Sequence, residues 1–216
     1  MDYKHIMVGK YVDLMATIKE YEGNELGLHC ELIAIVYDMT EDEVLDLPLS
    51  KFEEYEREIS FLYTKPKFKS RIPNKVVLNG RKYEIVKDAK QLTAAQYIDY
   101  STYCQLPDKD FRIAEILSVF LVPEGEKYGH YDIAPVIEEI KNYLDVQTAL
   151  DICFFFRKKS LKSIERTVFF LQAWTKMMQR KAKKNPKMKE KLMEIQENLK
   201  KMEVILLDAN EHISTM

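Results

Sequence analysis

Apolar and polar positions along this chain repeat mostly with the period of an α-helix. Between Ile6 and Ile18 the apolar side chains recur three or four positions apart, the spacing that places them on one helix face. The segment from Leu26 to Tyr37 is almost continuously apolar and predicts a buried helix. The pattern therefore indicates a mainly helical fold.

Helix starts are marked by side chains that cap the first turn. A Ser/Thr followed three residues later by Glu/Gln predicts a capping box, and an Asp before an apolar period predicts an N-cap. The boxes are Thr40 with Glu43, Ser50 with Glu53, and Thr93 with Gln96; the aspartates are Asp108 or Asp110, Asp132 and Asp145. The helix after Asp108 or Asp110 is expected to run on to Leu121 and to end at 123–125.

One segment has the pattern of β-structure. Two runs rich in β-branched residues flank Asn79-Gly80, the pair that a two-residue type I′ turn prefers, because both of its central residues need φ > 0. The pattern predicts a β-hairpin near residues 75–87. A hairpin alone is marginally stable, so it packs on helices or pairs with another strand, and an open edge could accept a strand from a neighbouring subunit.

The apolar pattern in the last third of the chain predicts three helices. The first is capped by Asp145 and carries three consecutive phenylalanines, Phe154 to Phe156. A longer one starts at Ser160, and the last follows Asn185-Pro186, where proline suits the first helical position. The last two are amphipathic and are expected to form a long antiparallel helical hairpin that projects as an arm.

The predicted fold is mainly α (α+β): a helical bundle with one β-hairpin and the C-terminal helical hairpin. Three parts are expected along the chain: an N-terminal acidic helical lobe over residues 1–64, a β-hairpin with a helical core over residues 65–157, and the arm over residues 158–216.

Charge is distributed in blocks along the chain. The net charge of the 216 residues is −2, yet residues 1–60 carry −10, residues 61–100 carry +6, residues 101–150 carry −5 and residues 151–216 carry +7. Such alternation can drive copies of the chain to bind one another. The alternative is that these are four differently solvated surfaces.

The tip of the predicted helical hairpin is strongly basic. Between residues 176 and 191 the only acid is Glu190, and the cations are Lys176, Arg180, Lys181, Lys183, Lys184, Lys187, Lys189 and Lys191. Such a cluster can be a solvated surface, a docking site for an acidic protein, or a contact to nucleic acid phosphates.

Residues that carry chemistry are scattered. The four histidines His5, His29, His130 and His212 lack metal-site spacing, and with six glycines the usual nucleotide cradles are absent. No catalytic, cofactor-binding or metal site is predicted, so we expect a protein that is not an enzyme and has no cofactor. Cys30, Cys104 and Cys153 are expected to be buried free thiols. The chain start lacks a signal-peptide layout and no apolar run reaches the roughly 20 residues of a membrane span, which predicts a cytosolic product without membrane contact.

The order of several short patterns is familiar. They are Leu32 to Tyr37, Thr40 to Val44, Leu47-Pro48-Leu49, Phe61-Leu62, Leu78-Asn79-Gly80 with Tyr83, Leu92 to Asp99, Phe120 to Pro123 with Gly125, Tyr128, and Tyr131 to Ile133. Over roughly residues 30–157 this order resembles small structural and assembly proteins of tailed bacteriophages of Bacteroidales, including the crAss-like phages.

The resemblance implies a part in phage morphogenesis and carries over no site residues. The protein would be a virion component, made in the host cytoplasm, that forms an oligomeric ring at the head–tail connector or in the tail with copies of itself and other virion proteins. The alternative is a cytosolic tail assembly chaperone that is left out of the virion. The basic tip lies outside the matched region, so contact with nucleic acid stays open.

Overall fold

The computed structural model describes residues 1–21, 23, 25–69, 71–88, 91–106, 108, 111–182, 193–202 and 204. For residues 160, 161, 163, 164, 167, 170, 174, 177 and 179–182 this covers the backbone alone. The chain divides into two compact units, Met1–Cys153 and Phe154–Met216. The sequence analysis predicts three parts, with divisions at residues 64 and 157, and that division stays a prediction. The N-terminal helices and the sheet share one unit because α1, the first helix, packs on helices that follow the β-hairpin in the chain.

Unit 1 is mainly helical with a small sheet, as predicted. In chain order its helices are α1 (Val8–Glu20), α2 (Glu25–Tyr37), α3 (Glu41–Leu45), α4 (Leu49–Ile59), a 3₁₀ turn (Ser60–Tyr63), α5 (Ala94–Gln105), α6 (Ile113–Phe120) and α7 (Ile133–Tyr143). Helix α8 (Val146–Ala182) begins in unit 1, and its residues from Phe154 onward belong to unit 2. Helix α1 contacts α2, α6 and α7, and α2 contacts α3 and α4. The N-terminal helices enclose a core whose most buried members include Leu14, Leu32, Ile33 and Ile59.

The predicted hairpin is confirmed as β1 (Lys75–Leu78) and β2 (Arg81–Ile85), and a third strand joins it. Asn79 and Gly80 both have positive φ, 46° and 77°, as the turn requires. The third strand, β3 (Leu121–Pro123), pairs antiparallel with β2. The prediction that these residues belong to a helix end is wrong. The peptide groups of β2 that point away from β1 need hydrogen-bond partners. Residues 121–124 supply them, since the Glu124 amide donates to the Lys82 carbonyl at 2.9 Å.

The sheet has one buried and one solvated face. Leu78, Tyr83, Ile85 and Leu121 face the core, while the alternate positions are polar or exposed. The Tyr83 ring is fully buried and its hydroxyl donates to Glu139 Oε2 on α7 at 2.6 Å. This side chain therefore joins the central strand to a helix.

Backbone hydrogen bonds connect the first residues of unit 1 to residues near its end. The Val8 amide donates to the Leu144 carbonyl at 3.0 Å, and the Val146 amide donates to the Ile6 carbonyl at 2.9 Å. All four of these residues are at most 2% exposed. This backbone bridge connects the segment before α1 to the junction between α7 and α8.

Most of the capping predictions are confirmed. Thr40 with Glu43 and Thr93 with Gln96 form complete capping boxes. Asp132 accepts a hydrogen bond from the Ala134 amide, and Asp145 accepts one from the Thr148 amide.

Two capping predictions are wrong. Helix α4 starts at Leu49 with Pro48 as its N-cap, because the Pro48 carbonyl accepts from the Lys51 and Phe52 amides and leaves Ser50 inside the first turn. Helix α6 has Arg112 as its N-cap rather than Asp108, and Asp110 lies outside the described residues.

Helix α8 is one continuous helix of 37 residues, where the sequence predicts two. The expected break at Ser160 is absent because residues 157–162 contain no glycine or proline, and lysine and arginine are good helix formers. In unit 2 the described residues 193–202 are also helical. The turn predicted at Asn185-Pro186 lies outside the described residues.

Removing the Tyr83 hydroxyl tests the join between sheet and helix. We expect Tyr83→Phe to lower the free energy of unfolding by about 1 kcal/mol, because Glu139 loses its donor. Tyr83→Ala should cost about 3–5 kcal/mol, because it leaves a cavity in the core. Tyr97→Phe is the control, since Tyr97 is 63% exposed. Urea unfolding followed by circular dichroism measures all three, and a Tyr83→Ala protein as stable as the parent would contradict this packing.

Candidate functional site

The predicted basic cluster is only partly covered by the described residues. Lys176 lies exposed on α8. Arg180 and Lys181 continue the same helix, with only their backbone described. Outside the described residues lie Lys183, Lys184, Lys187, Lys189 and Lys191. The role of this cluster therefore stays a prediction.

A cavity of about 660 Å³ lies in unit 2, between α8 and the helical residues 193–202. Thr175 and Lys176 line it from α8, and Met193, Glu197 and Lys200 line it from the last helical segment. Thr175 is 5% exposed, and its hydroxyl has no hydrogen-bond partner among the described atoms. The two helical segments thus lie side by side, as expected for a helical hairpin.

Helix α8 presents a basic stripe that includes one large aromatic side chain. Lys158, Lys162, Arg166 and Phe169 are all exposed, and their spacing places them within an arc of about 80° on the helix. The exposed Glu165 borders this arc, so the cations outnumber the acids there by three to one. Phe169 is 74% exposed. Val168 and Thr175, on another side of the helix, are buried. These four residues are called the α8 stripe below.

Unit 1 carries an exposed surface of the opposite charge around two leucines. Leu45 at the end of α3 is 68% exposed, and Leu49 at the start of α4 is 73% exposed. Asp42 on α3, Asp46 directly after α3 and Glu53 on α4 are also exposed. Their side chains make no ion pair with another described residue. These five residues are called the leucine–acid surface below.

Sequence reasoning missed both surfaces. It used the helical period to assign apolar residues to a core, and a period cannot tell which apolar side chains have neighbours. A usable signal was present in Leu45-Asp46-Leu47-Pro48-Leu49. There a short helix ends and a proline-capped one begins, and two leucines four residues apart lie among acids.

A second cavity, of about 540 Å³, lies in unit 1 between α1, α7 and the residues near Phe111. Its charged side chains include Lys10, Asp13, Asp38 and Lys141. The Lys10 ammonium donates to both Asp38 carboxylate oxygens, at 2.9 and 2.8 Å, and to the Val36 carbonyl at 3.1 Å. This cation is therefore held between α1 and the end of α2 as a structural ion pair.

No group of three or more histidine, cysteine, aspartate or glutamate side chains is placed to hold a metal ion within the part of the chain that the structure describes. No family model, curated protein or solved structure matches the chain. None of the helices described here combines the length and the apolar character needed to cross a bilayer.

The outer edge of β1 is protected against strand addition. Register places Lys75 and Val77 with their peptide groups directed away from β2, because hydrogen-bonded and non-bonded pairs alternate along an antiparallel ladder. Lys75 forms ion pairs with Glu84 and Glu124 across the sheet. A charged side chain on a four-residue edge strand discourages pairing with another sheet, so this edge is a weaker candidate than the two helical surfaces.

The cysteines are free, as expected, and they differ in how much of the residue is exposed. Cys30 is buried, whereas Cys104 and Cys153 are partly buried. Burial raises the pKa of the Cys153 thiol to about 12, which keeps it in the unreactive protonated form.

The tyrosines serve mainly to join elements within unit 1. Tyr37 donates to Glu58 at 2.6 Å, and Tyr128 donates to Asp99 at 2.7 Å, as Tyr83 does to Glu139. Burial raises the pKa of Tyr3, Tyr100 and Tyr131 to about 12 each. Tyr37, Tyr83 and Tyr128 thus each connect two segments of unit 1 through a hydroxyl-to-carboxylate hydrogen bond.

Tyr3 is buried, Tyr100 and Tyr131 are partly buried, and the raised pKa values of these three tyrosines predict a loss of stability at high pH. Their pKa is raised above the ordinary value of 10, so between pH 10 and about 12 the folded state binds more protons than the unfolded state. The free energy of unfolding then falls as the pH rises, while below pH 10 this contribution is fully present. We expect urea midpoints to be flat from about pH 7 to 9 and to fall above pH 10.

A titration of tyrosinate absorbance provides the matching observation. One group of tyrosines should ionise near its ordinary pKa, and a second group only as the protein unfolds. Ionisation of every tyrosine near pH 10 without unfolding would contradict the burial described for Tyr3, Tyr100 and Tyr131.

Proposed function

We propose that this protein is a non-enzymatic structural or assembly protein of a tailed bacteriophage virion. It acts through protein–protein contacts with copies of itself and with other virion proteins, as part of an oligomeric ring at the head–tail connector or in the tail. The protein would be made in the host cytoplasm and retained in the particle.

The observation that carries the proposal is the opposite charge of the two compact units. Residues 1–153 contain 18 basic and 28 acidic side chains, for a net charge of −10, and residues 154–216 contain 15 and 7, for a net charge of +8. A chain with two oppositely charged units attracts further copies of itself, because complementary potentials steer encounters and favour one orientation.

The geometry of such an attraction favours an extended or closed assembly. A contact between the negative unit of one copy and the positive unit of the next joins two different surfaces. Repeating it generates a ring if the rotation closes and a filament if it does not. Rings and tubes of identical subunits are the forms that a connector or tail component takes.

The phage assignment is supported by the resemblance of residues 30–157 to assembly proteins of tailed phages. The shared residues include the capping boxes at Thr40 and Thr93 and the turn at Asn79-Gly80. They specify local backbone structure rather than chemistry, so they support a structural role.

A second candidate is the cytosolic tail assembly chaperone that does not stay in the virion. The cavity in unit 2 favours it, because Met193 and Leu199 form part of its lining, and methionine adapts to differently shaped apolar partners. In that case unit 2 would hold a segment of a tail protein during assembly.

Self-association that weakens with salt is the expected behaviour of the purified chain. At about 0.05 M NaCl we expect sedimentation velocity to show species larger than the 25.5 kDa monomer. At about 0.5 M NaCl the distribution should shift to monomer, because exposed charges are then screened within a few ångströms. A chain that stays monomeric at both salt concentrations, up to about 100 μM protein, would contradict the proposal, because the contact would then be weaker than about −5.5 kcal/mol.

Mass spectrometry of purified particles separates the two candidates. A virion component should be present in fixed proportion to the other structural proteins. Abundance in infected cells combined with absence from particles would favour the chaperone.

A further inference from the structure

Two exposed surfaces of this chain match each other in both charge and apolar character. The leucine–acid surface of unit 1 combines Leu45 and Leu49 with three carboxylates, and the α8 stripe of unit 2 combines Phe169 with three cations. The apolar side chains are 68%, 73% and 74% exposed. A protein–protein interface typically has an apolar centre surrounded by a polar rim.

The charges on both sides are available for such a contact. Lys158, Lys162 and Arg166 form no ion pair with another described residue. By contrast, other surface charges of unit 1 are already engaged, such as Lys51 with Glu54 and Arg81 with Glu126.

We propose that the α8 stripe of one copy docks onto the leucine–acid surface of a second copy. Phe169 packs against Leu45 and Leu49, and the three cations face Asp42, Asp46 and Glu53. The inference rests on the proposed self-association and names the two surfaces that make it.

A second copy is the occupant that the charges favour. The α8 stripe needs an acidic partner, and the leucine–acid surface needs a basic one. Each copy offers both, and the net charges of the units, −10 and +8, have the required signs. The contact is heterologous, since it joins different surfaces, so each copy keeps one free surface of each kind until a ring closes.

The test uses full-length chains with one surface disabled at a time. The first variant is Leu45→Ser with Leu49→Ser, and the second is Phe169→Ser with Lys162→Gln. The matched controls are Leu26→Ser and Tyr97→Ser, which change side chains that are 61% and 63% exposed outside both surfaces. Circular dichroism and thermal midpoints check that each variant folds as the parent does.

Each variant alone should associate about tenfold or more weakly than the parent in sedimentation velocity at low salt, because its apolar anchors are lost. The controls should associate as the parent does. An equimolar mixture of the two variants should form a 1:1 complex and nothing larger, because the intact α8 stripe of the first variant binds the intact leucine–acid surface of the second.

The remaining outcomes overturn the inference in distinguishable ways. If the parent associates and the variants associate equally well, these surfaces are not the contact, while the proposed function stands. If only one variant loses association, the contact joins two identical surfaces rather than two different ones. If the parent itself never associates, the proposed function fails together with this inference.

Discussion

The backbone bridge between residues 6–8 and 144–146 is the constraint on which unit 1 depends. It closes a loop of more than 130 residues, and such closure costs conformational entropy that the buried contacts around it must offset. Ile6, Val8, Leu144 and Val146 supply those contacts, since all are at most 2% exposed. Near the bridge α1 runs so close to α7 that a Cβ at Gly9 would lie 3.2 Å from the Lys141 carbonyl oxygen. The bridge also fixes where α8 begins.

Local signals made much of the fold predictable. The boxes at Thr40 and Thr93 and the turn at Asn79-Gly80 are encoded within four residues, and each forms as expected. The strand Leu121–Pro123 was not predictable, because it exists only through its pairing with β2. The prediction that a helix starts at Ser160 was wrong because of the residues next to it in the sequence, not because of a distant partner. A serine within a run of helix formers continues a helix unless a glycine or proline stops it.

The sequence predicted the opposite charges of the leucine–acid surface and the α8 stripe, but not which residues form these two surfaces. Counting charges along the chain already separates an acidic start from a basic end, and the two compact units preserve that separation. The exposure of Leu45, Leu49 and Phe169 could not be derived from the sequence, because it depends on which side chains the fold places next to them. Charge therefore led to the proposal that the chain attracts its own copies, and the exposed side chains in the structure are the basis for the proposed apolar contact.

The central claim is that two different surfaces of one chain recognise each other between copies. Zero-length cross-linking of an equimolar mixture of ¹⁴N- and ¹⁵N-labelled protein tests it most directly, because the isotopes separate contacts between copies from contacts within one. The account predicts mixed-isotope cross-links from Lys158 or Lys162 to Asp46 or Glu53, lost at high salt. Cross-links between these residues that always carry a single isotope, or that join other surfaces, would contradict it.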